Sequence, residues 1–135
     1  MYKSGVEIIV MEVSAHSIYL DKIYGLNFKY GIFTNLTQDH LDFFKNMETY
    51  ASVKMRFLND YCDNIIINVD DKFVSKFKFK NKVKTYSIEK KSNFYANDIK
   101  KSLNKTTFTL NSSNVKYKFS YPNCGIHNVY NAIPC

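Results

Sequence analysis

The sequence is poor in the residues that break regular structure. Its 135 residues include four glycines, two prolines and no tryptophan. This composition excludes a collagen-like chain or a flexible linker, and 45 % apolar residues are enough to build a core. A chain of this length forms one domain that buries roughly two thirds of its unfolded surface. We therefore expect a single globular domain.

Long apolar runs and paired cysteines are also lacking. No stretch approaches the roughly 18 apolar residues of a membrane span, and the first residues lack the apolar segment of a signal peptide. Cys62, Cys124 and Cys135 are odd in number and form no C-x-x-C pair, which argues against a disulfide framework or a zinc knuckle. We expect small thiols, buried or incidental, in a reducing cytoplasm.

Positive charge is present, but it is unevenly distributed. The net charge is +7, yet residues 1–71 carry six Lys/Arg against ten Asp/Glu, a net of −4. Residues 72–135 carry thirteen lysines against two acids, a net of +11. A protein that binds nucleic acid through its whole surface would not be acidic over its first half, so each half needs its own explanation.

The first half has the pattern of an α/β fold. Apolar runs at 7–13, 30–35 and 64–69 predict buried parallel strands. Apolar residues at a 3.6-residue period predict a helix over 47–61, and residues 18–23 could form one or two helical turns. Thr37 is the expected N-cap of a further helix.

The second half alternates apolar and polar residues over 77–83, 95–103, 106–110 and 115–121. This period of two predicts a small, partly exposed antiparallel sheet, with turns at 104–105 and 111–114. Residues 128–135 resemble the first turn of a helix. The expected fold is thus α/β, a parallel sheet with flanking helices plus a small antiparallel sheet.

Oxygen-rich side chains follow the predicted parallel strands, where ligands bind in open sheets of this kind. Glu12 is near the end of the first strand, and Asn35, Asp39, His40 and Asp42 follow the second. Such a group suits Mg²⁺. Alternatively, the two aspartates occupy the first turn of a helix, where acids interact favourably with its dipole. His16, His40 and His127 are unremarkable when considered singly.

Lys54 is unusual because it lies on the apolar face of the predicted 47–61 helix. Its stem could pack while its ammonium reaches water. Alternatively, it could be held near a site with a modified or pKa-shifted amine.

The segment 72–84 interleaves aromatics with lysines, as single-stranded nucleic-acid binders do. Strict alternation also makes an ordinary sheet with one lysine-coated face, which is the simpler interpretation.

Five segments carry distinctive residue combinations. They are Met11-Glu12-Val13-Ser14-Ala15-His16, Phe33-Thr34-Asn35-Leu36-Thr37-Gln38-Asp39-His40-Leu41-Asp42, Met47-Glu48-x-Tyr50-x-x-x-Lys54, Asn68-x-Asp70-Asp71 and Gly125-x-x-Asn128-Val129-Tyr130-Asn131-Ala132. In this order and at these spacings they resemble the central domain of the Mur ligases. The E-V-S-[SA]-H form is similar to the motif of one branch of the family. That branch adds the third amino acid, diaminopimelate or lysine, to the UDP-MurNAc-L-Ala-D-Glu precursor of peptidoglycan.

The resemblance implies a role for each matching residue. Glu12 matches a Mg²⁺-binding glutamate, and His40 matches the histidine at a second Mg²⁺. Lys54 matches a lysine that is carbamylated in this family and thereby becomes a carboxylate-like ligand. Ser14 matches a contact to the muramoyl-peptide substrate, and Lys22 stands where the family usually has arginine. Asn128 and Asn131 match asparagines near the adenine of ATP. The implied supporting residues are Asn35, Asp39 and Asp42.

The implied reaction phosphorylates the D-glutamyl carboxylate of the precursor with ATP, and the amine of the incoming amino acid then attacks the acyl phosphate. Mg²⁺ would neutralise the phosphoryl charge.

The sequence also departs from the family pattern. Its four glycines include no Gly-Lys pair of a phosphate-binding loop, and only eleven residues precede Glu12. Ala15 and Phe44 replace residues usual in this branch. The chain therefore resembles part of a central domain, with an α/β metal and substrate part (1–71), a mainly antiparallel part (72–125) and the start of a helix (126–135). We expect no ligase activity from this chain alone.

Two other interpretations stay open. The first is an inactive, truncated remnant that folds poorly, with little hydrogen-exchange protection at 8–13 and 30–35. The second is a basic nucleic-acid-binding module whose affinity falls steeply with salt.

Overall fold

One mixed sheet forms the centre of the fold in a computed structural model that describes residues 5–38 and 41–135. Its six strands follow chain order, parallel from β1 to β4 and antiparallel from β4 to β6. The strands are β1 (Phe28–Phe33), β2 (Cys62–Asn68), β3 (Lys82–Ser87), β4 (Phe94–Lys101), β5 (Thr106–Ser112) and β6 (Val115–Tyr121). The helices are α1 (Ala15–Tyr19), α2 (Leu41–Phe44), α3 (Met47–Tyr61) and α4 (Ile126–Ala132).

The predicted α/β class is confirmed, but the antiparallel strands continue the parallel sheet instead of forming a second one. The helix predicted over 47–61 is α3, with the same bounds. Its N-terminus is capped by Asn46, whose Oδ1 accepts a hydrogen bond from the Thr49 amide at 2.8 Å. The helix buries the apolar face that the sequence pattern predicted, which includes Tyr50, Ala51 and Leu58.

Alternate residues of β2 enter two different cores. Ile65 and Ile67 pack into the first, between the sheet and α3, whereas Ile66 contacts the second. The second core joins Tyr86, Ala96 and Phe108 of the sheet to Val129 and Ile133 at α4. Helices therefore cover both faces of the sheet, as its parallel strands require.

The absence of a side chain at Gly31 lets α3 approach the sheet closely. A Cβ at this position would overlap Cys62 Sγ and lie 2.9 Å from Leu58 Cδ2. Cys62 is itself buried, with 3 % of its surface exposed. Because both neighbours are packed, glycine is needed here for space.

The strand predicted at residues 7–13 is wrong. These residues have no regular structure, and Ile8, Ile9 and Val10 are 81 %, 65 % and 93 % exposed. A strand needs at least one hydrogen-bonded neighbour, and within the described residues the six-stranded sheet does not include 7–13. Glu12 consequently follows an irregular segment rather than a strand.

The strand predicted at 77–83 is also displaced, because β3 begins only at Lys82. Phe77 and Phe79 pack against the first core, so their alternation with lysine reflects a packed connection. The Asn59 side chain satisfies its backbone by donating to the Lys78 carbonyl (3.1 Å) and accepting from the Lys80 amide (3.0 Å).

Smaller corrections concern the ends of elements. The strand predicted at 30–35 is β1, which ends at Phe33 and leaves Tyr30 and Ile32 exposed. Two residues outside the described ranges, 39 and 40, separate Thr37 from α2, so the N-cap role of Thr37 stays a prediction. The helical turn predicted near 18–23 lies earlier, as α1. Residues 111 and 112, predicted as turn, belong to β5. No helix in the described parts of the chain is both long enough and apolar enough to cross a bilayer.

Candidate functional site

Polar side chains connect the carboxyl ends of β1, β2 and β3. The Asn68 side-chain amide donates to the Thr34 carbonyl at 2.9 Å, and its Oδ1 accepts from the Asp70 amide at 3.0 Å. Asp71 accepts from the Leu36 amide at 2.7 Å and from the Phe73 amide at 2.9 Å. These bonds hold the loops after β1 and β2 together, at the edge where open α/β sheets bind ligands.

Asp70 joins the same edge to β3. Its Oδ1 accepts from Ser87 Oγ at 2.6 Å, and its Oδ2 accepts from the Ile88 amide at 2.9 Å. The Ser87 hydroxyl oxygen in turn accepts from the amides of Glu89 and Lys90. Ser87 is fully buried, so this is a satisfied interior network.

Lys54 lies on α3 with its side chain partly buried, and its Nζ is 5.6 Å from the centre of the Tyr50 ring. Burial lowers the pKa of this lysine, because removing water disfavours the ammonium, and the negative charge of Glu12 partly opposes the change by raising the pKa. The charge of Glu12 thus acts on Lys54, which lies 42 positions later in the sequence.

These two residues fit a magnesium site only in part. Mg²⁺ is held in proteins by one or two carboxylates together with waters and phosphate oxygens. Glu12 offers one carboxylate, whereas an unmodified Lys54 amine is not a ligand of this kind. The described residues contain no group of three or more His, Cys, Asp and Glu side chains placed for a metal. The pair fits Mg²⁺ if Lys54 carries a carbamate, which would supply the second carboxylate.

His40 and Asp39 lie outside the described residues, so their expected metal-binding and supporting roles stay predictions. Ser14 is the N-cap of α1, and its Oγ accepts from the Ser17 amide at 3.2 Å. Lys22, Asn35 and Asp42 are exposed. Where the chain is described, no hydrogen bond or ion pair joins these three side chains to Lys54, and their predicted roles also remain untested.

The two asparagines predicted near adenine lie on α4, which packs on the sheet face opposite α3. Asn128 donates through its side-chain amide to the Cys124 carbonyl at 3.2 Å, and Asn131 is exposed. Between them, Tyr130 donates its hydroxyl proton to Asp70 Oδ2 at 3.1 Å. This bond links α4 to the polar edge of the sheet.

The lysine-rich segment 72–84 does not present a row of stacking aromatics. Phe73, Phe77 and Phe79 pack against the first core. The ammonium groups of Lys72 and Lys76 lie 5.3 and 5.5 Å from the centre of the Phe73 ring. This arrangement supports the simpler interpretation, a lysine-coated surface over a packed face.

The family comparison matches the Mur ligase middle domain over residues 1–135. The chain is 43 % identical to a UDP-N-acetylmuramoyl-L-alanyl-D-glutamate–2,6-diaminopimelate ligase of Clostridium perfringens and 42 % identical to its counterpart in Clostridium tetani. The chain belongs to the Mur ligase family. These alignments cover 100 % and 98 % of this middle domain but only 29 % and 28 % of the relatives, so the chain spans less than a third of their length.

Solved structures agree with this Mur ligase fold. A UDP-N-acetylmuramoyl-L-alanyl-D-glutamate–2,6-diaminopimelate ligase superposes with a TM-score of 0.76 at 26 % identity, over 88 % of this chain and 26 % of that one. The UDP-N-acetylmuramate-alanine ligase MurC of Thermotoga maritima shares the fold with a TM-score of 0.60 at 22 % identity, over 77 % and 23 % of the two chains.

The segment from Asn68 to Asp71 has a role in this Mur ligase middle domain that the sequence alone does not indicate. Its side chains organise the edge of the sheet. Their partners Thr34, Ser87 and Tyr130 are distant in sequence, so no local pattern predicts the contacts. The available signal was the position of two adjacent aspartates directly after a buried strand.

Proposed function

We propose that this chain supplies the metal- and substrate-binding part of an ATP-dependent ligase of peptidoglycan synthesis. The reaction joins the third amino acid of the peptide to UDP-MurNAc-L-Ala-D-Glu. The names of the relatives favour 2,6-diaminopimelate over lysine as that amino acid. A cytoplasmic location, where ATP and the precursor are available, remains part of the proposal.

The proposal depends chiefly on the proximity of Lys54 and Glu12. Most lysines of a small domain are solvated and protonated, whereas burial lowers the pKa of Lys54 beside a carboxylate. A neutral amine is the form that adds CO₂ to give a carbamate and release a proton. The pair therefore supports the modification that the family resemblance implies.

In this proposal, Glu12 and carbamylated Lys54 would hold Mg²⁺ and His40 would bind a second Mg²⁺. The metal, when bound, would offset the negative charge of the phosphoryl group. Ser14, with Lys22 beyond α1, contacts the muramoyl peptide. Asn128 and Asn131 contact the adenine ring of ATP. Asn35, Asp39 and Asp42 support the loops around the metal.

The proposed reaction has two steps. The D-glutamyl carboxylate of the precursor attacks the γ-phosphorus of ATP, forming an acyl phosphate and releasing ADP. The amine of the incoming amino acid then attacks the acyl carbon, forming the amide bond and expelling phosphate. The residues of this chain hold the carboxylate and the phosphoryl group in line, which is the main requirement of such a transfer.

A chimeric ligase tests the proposal. The matching segment of the Clostridium perfringens relative is replaced by this chain, and amide-bond formation is measured with ATP, Mg²⁺ and precursor. We expect turnover, and we expect Lys54→Ala to reduce kcat by about 100-fold or more, as the loss of an electrostatic group at a phosphoryl site does.

Lys76→Ala is the matched control, because Lys76 is an exposed lysine outside the proposed site. It should leave kcat unchanged. A folded chimera without turnover, or one in which both alanine variants are equally active, would contradict the proposed function.

A further inference from the structure

Asp70 is the one described carboxylate that the hydrogen bonds place between β2, β3 and α4. Its oxygens accept from Ser87 Oγ (2.6 Å), from the Ile88 amide (2.9 Å) and from the Tyr130 hydroxyl (3.1 Å). It lies two residues beyond the end of β2. A carboxylate with several donors at hydrogen-bond distance is held in one orientation, since each bond restricts its rotation.

Apolar packing alone does not fix the rotation of α4. The helix has about two turns, and its side chains Val129 and Ile133 are almost fully buried against Tyr86, Ala96 and Phe108. Each apolar contact is non-directional, so these contacts chiefly set how closely the helix lies on the sheet. The bond from Tyr130 to Asp70 is directional and therefore adds a restraint on rotation about the helix axis.

Both proposed adenine contacts move with this rotation. Asn128 and Asn131 are three positions apart and therefore lie on one side of α4. Tyr130 stands directly before Asn131 in the same helix. Turning α4 about its axis would displace the two asparagines together, relative to the carboxyl ends of β1 and β2.

We propose that Asp70 is a positioning residue that acts through Tyr130 to fix the orientation of α4 and, with it, Asn128 and Asn131. This inference rests on the proposed function, because it assigns to α4 the adenine end of the nucleotide. Burial and the hydrogen bond to Asp70 raise the pKa of Tyr130, so its hydroxyl stays protonated and able to donate at neutral pH.

Hydrogen exchange of the chain tests the coupling directly. Tyr130→Phe removes only the donor and keeps the ring in the second core. We expect the amides of residues 130–133 to lose protection by about tenfold or more, as for a lost hydrogen bond to a charged group, while α3 keeps its protection. Tyr86→Phe is the matched control, since its hydroxyl faces the Phe33 carbonyl (3.5 Å) rather than Asp70.

A double-mutant cycle separates positioning from general support. Asp70→Asn also disturbs the bonds to Ser87 and Ile88. Hydrogen exchange of the amides of residues 88–90 measures that separate effect. If Asp70 acts on α4 through Tyr130, the double variant with Asp70→Asn and Tyr130→Phe should have α4 amide protection within twofold of that in Asp70→Asn alone. Full additivity, or unchanged α4 protection in Tyr130→Phe, would overturn the inference.

Titration with ADP distinguishes this inference from the proposed function. We expect ADP to shift the side-chain amide NMR signals of Asn128 and Asn131 in the unmodified chain, with weaker affinity in Tyr130→Phe and unchanged affinity in Tyr86→Phe. If the unmodified chain shows no shift, the adenine role of α4 fails, whereas the exchange results still decide whether Asp70 orients the helix. Equal ADP affinity in all three proteins would contradict positioning.

Discussion

At the residue scale, the chemistry of individual side chains depends on where they lose water. Lys54 has a lowered pKa because it is partly buried, and Glu12 opposes that change. Family resemblance was needed to select this lysine, since a lysine on an apolar helix face equally predicts a packed stem with a solvated end. Asp70 belongs to a recognised motif, but its role was not predicted, because its partners Ser87 and Tyr130 lie 17 and 60 positions away.

Thiol reactivity tests the environment of Cys62, which the sequence predicts to be a small thiol, buried or incidental. Burial raises the pKa of Cys62 to about 12, with a smaller contribution from the charge of Asp63. At pH 8 it is therefore protonated and inaccessible, whereas Cys124 and Cys135 are exposed. We expect a thiol reagent to label these two rapidly and Cys62 only after denaturation. Rapid labelling of Cys62 in the folded chain would contradict the packing.

At the element scale, the local sequence pattern predicts an element correctly where that element forms its own backbone hydrogen bonds. The bounds of α3 follow from the cap at Asn46 and the apolar period, both contained within the segment. The strand predicted at residues 7–13 is wrong because a strand needs hydrogen-bonding neighbours that composition does not specify. The strand prediction is wrong for residues 77–81 because Asn59, whose side chain hydrogen-bonds to their backbone, lies about 20 positions earlier.

The close contact of β1 with α3 provides a stability test. Gly31→Ala should lower the free energy of unfolding by about 1–3 kcal/mol, because its Cβ would overlap Cys62 Sγ in a packed core. Urea denaturation measures the change.

Cys62→Ala in the same chain supplies the matched comparison. Removing Sγ should recover part of the loss in Gly31→Ala, since Leu58 Cδ2 still lies 2.9 Å from the added Cβ. Additive losses in the double variant would show that the contact with Cys62 is not the cause.

At the scale of the whole molecule, charge follows the order of the strands. The acidic residues 1–71 form α1, β1, α3 and β2, and the basic residues 72–135 form β3 to β6 with α4. The proposed metal and substrate residues lie in the acidic part, and the proposed adenine residues lie in the basic part. The sequence shows the charge asymmetry, whereas the joining of both parts in one sheet depends on pairing between β2 and β3, which the sequence does not specify.

The chain by itself should not complete the reaction. It supplies Glu12, Lys54 and α4, but its four glycines include no Gly-Lys pair that could hold ATP phosphates. We expect no amide-bond formation by the purified chain with ATP, Mg²⁺, precursor and diaminopimelate. Turnover above that of the Lys54→Ala variant would show that the chain can use ATP without a Gly-Lys phosphate-binding loop.

In the proposed function, the fold holds the Lys54 amine partly dehydrated and within the influence of the Glu12 charge, so that it can form a carbamate. This modification is measured by ¹³C NMR of the chain with ¹³C-bicarbonate and Mg²⁺, as a function of pH. Because the pKa of Lys54 is lowered, its neutral form appears at lower pH than that of exposed lysines. We expect a carbamate signal near neutral pH that is lost in Lys54→Arg and kept in Lys76→Arg. The same signal in both variants, or no signal near neutral pH, would show that Lys54 is not the modified lysine.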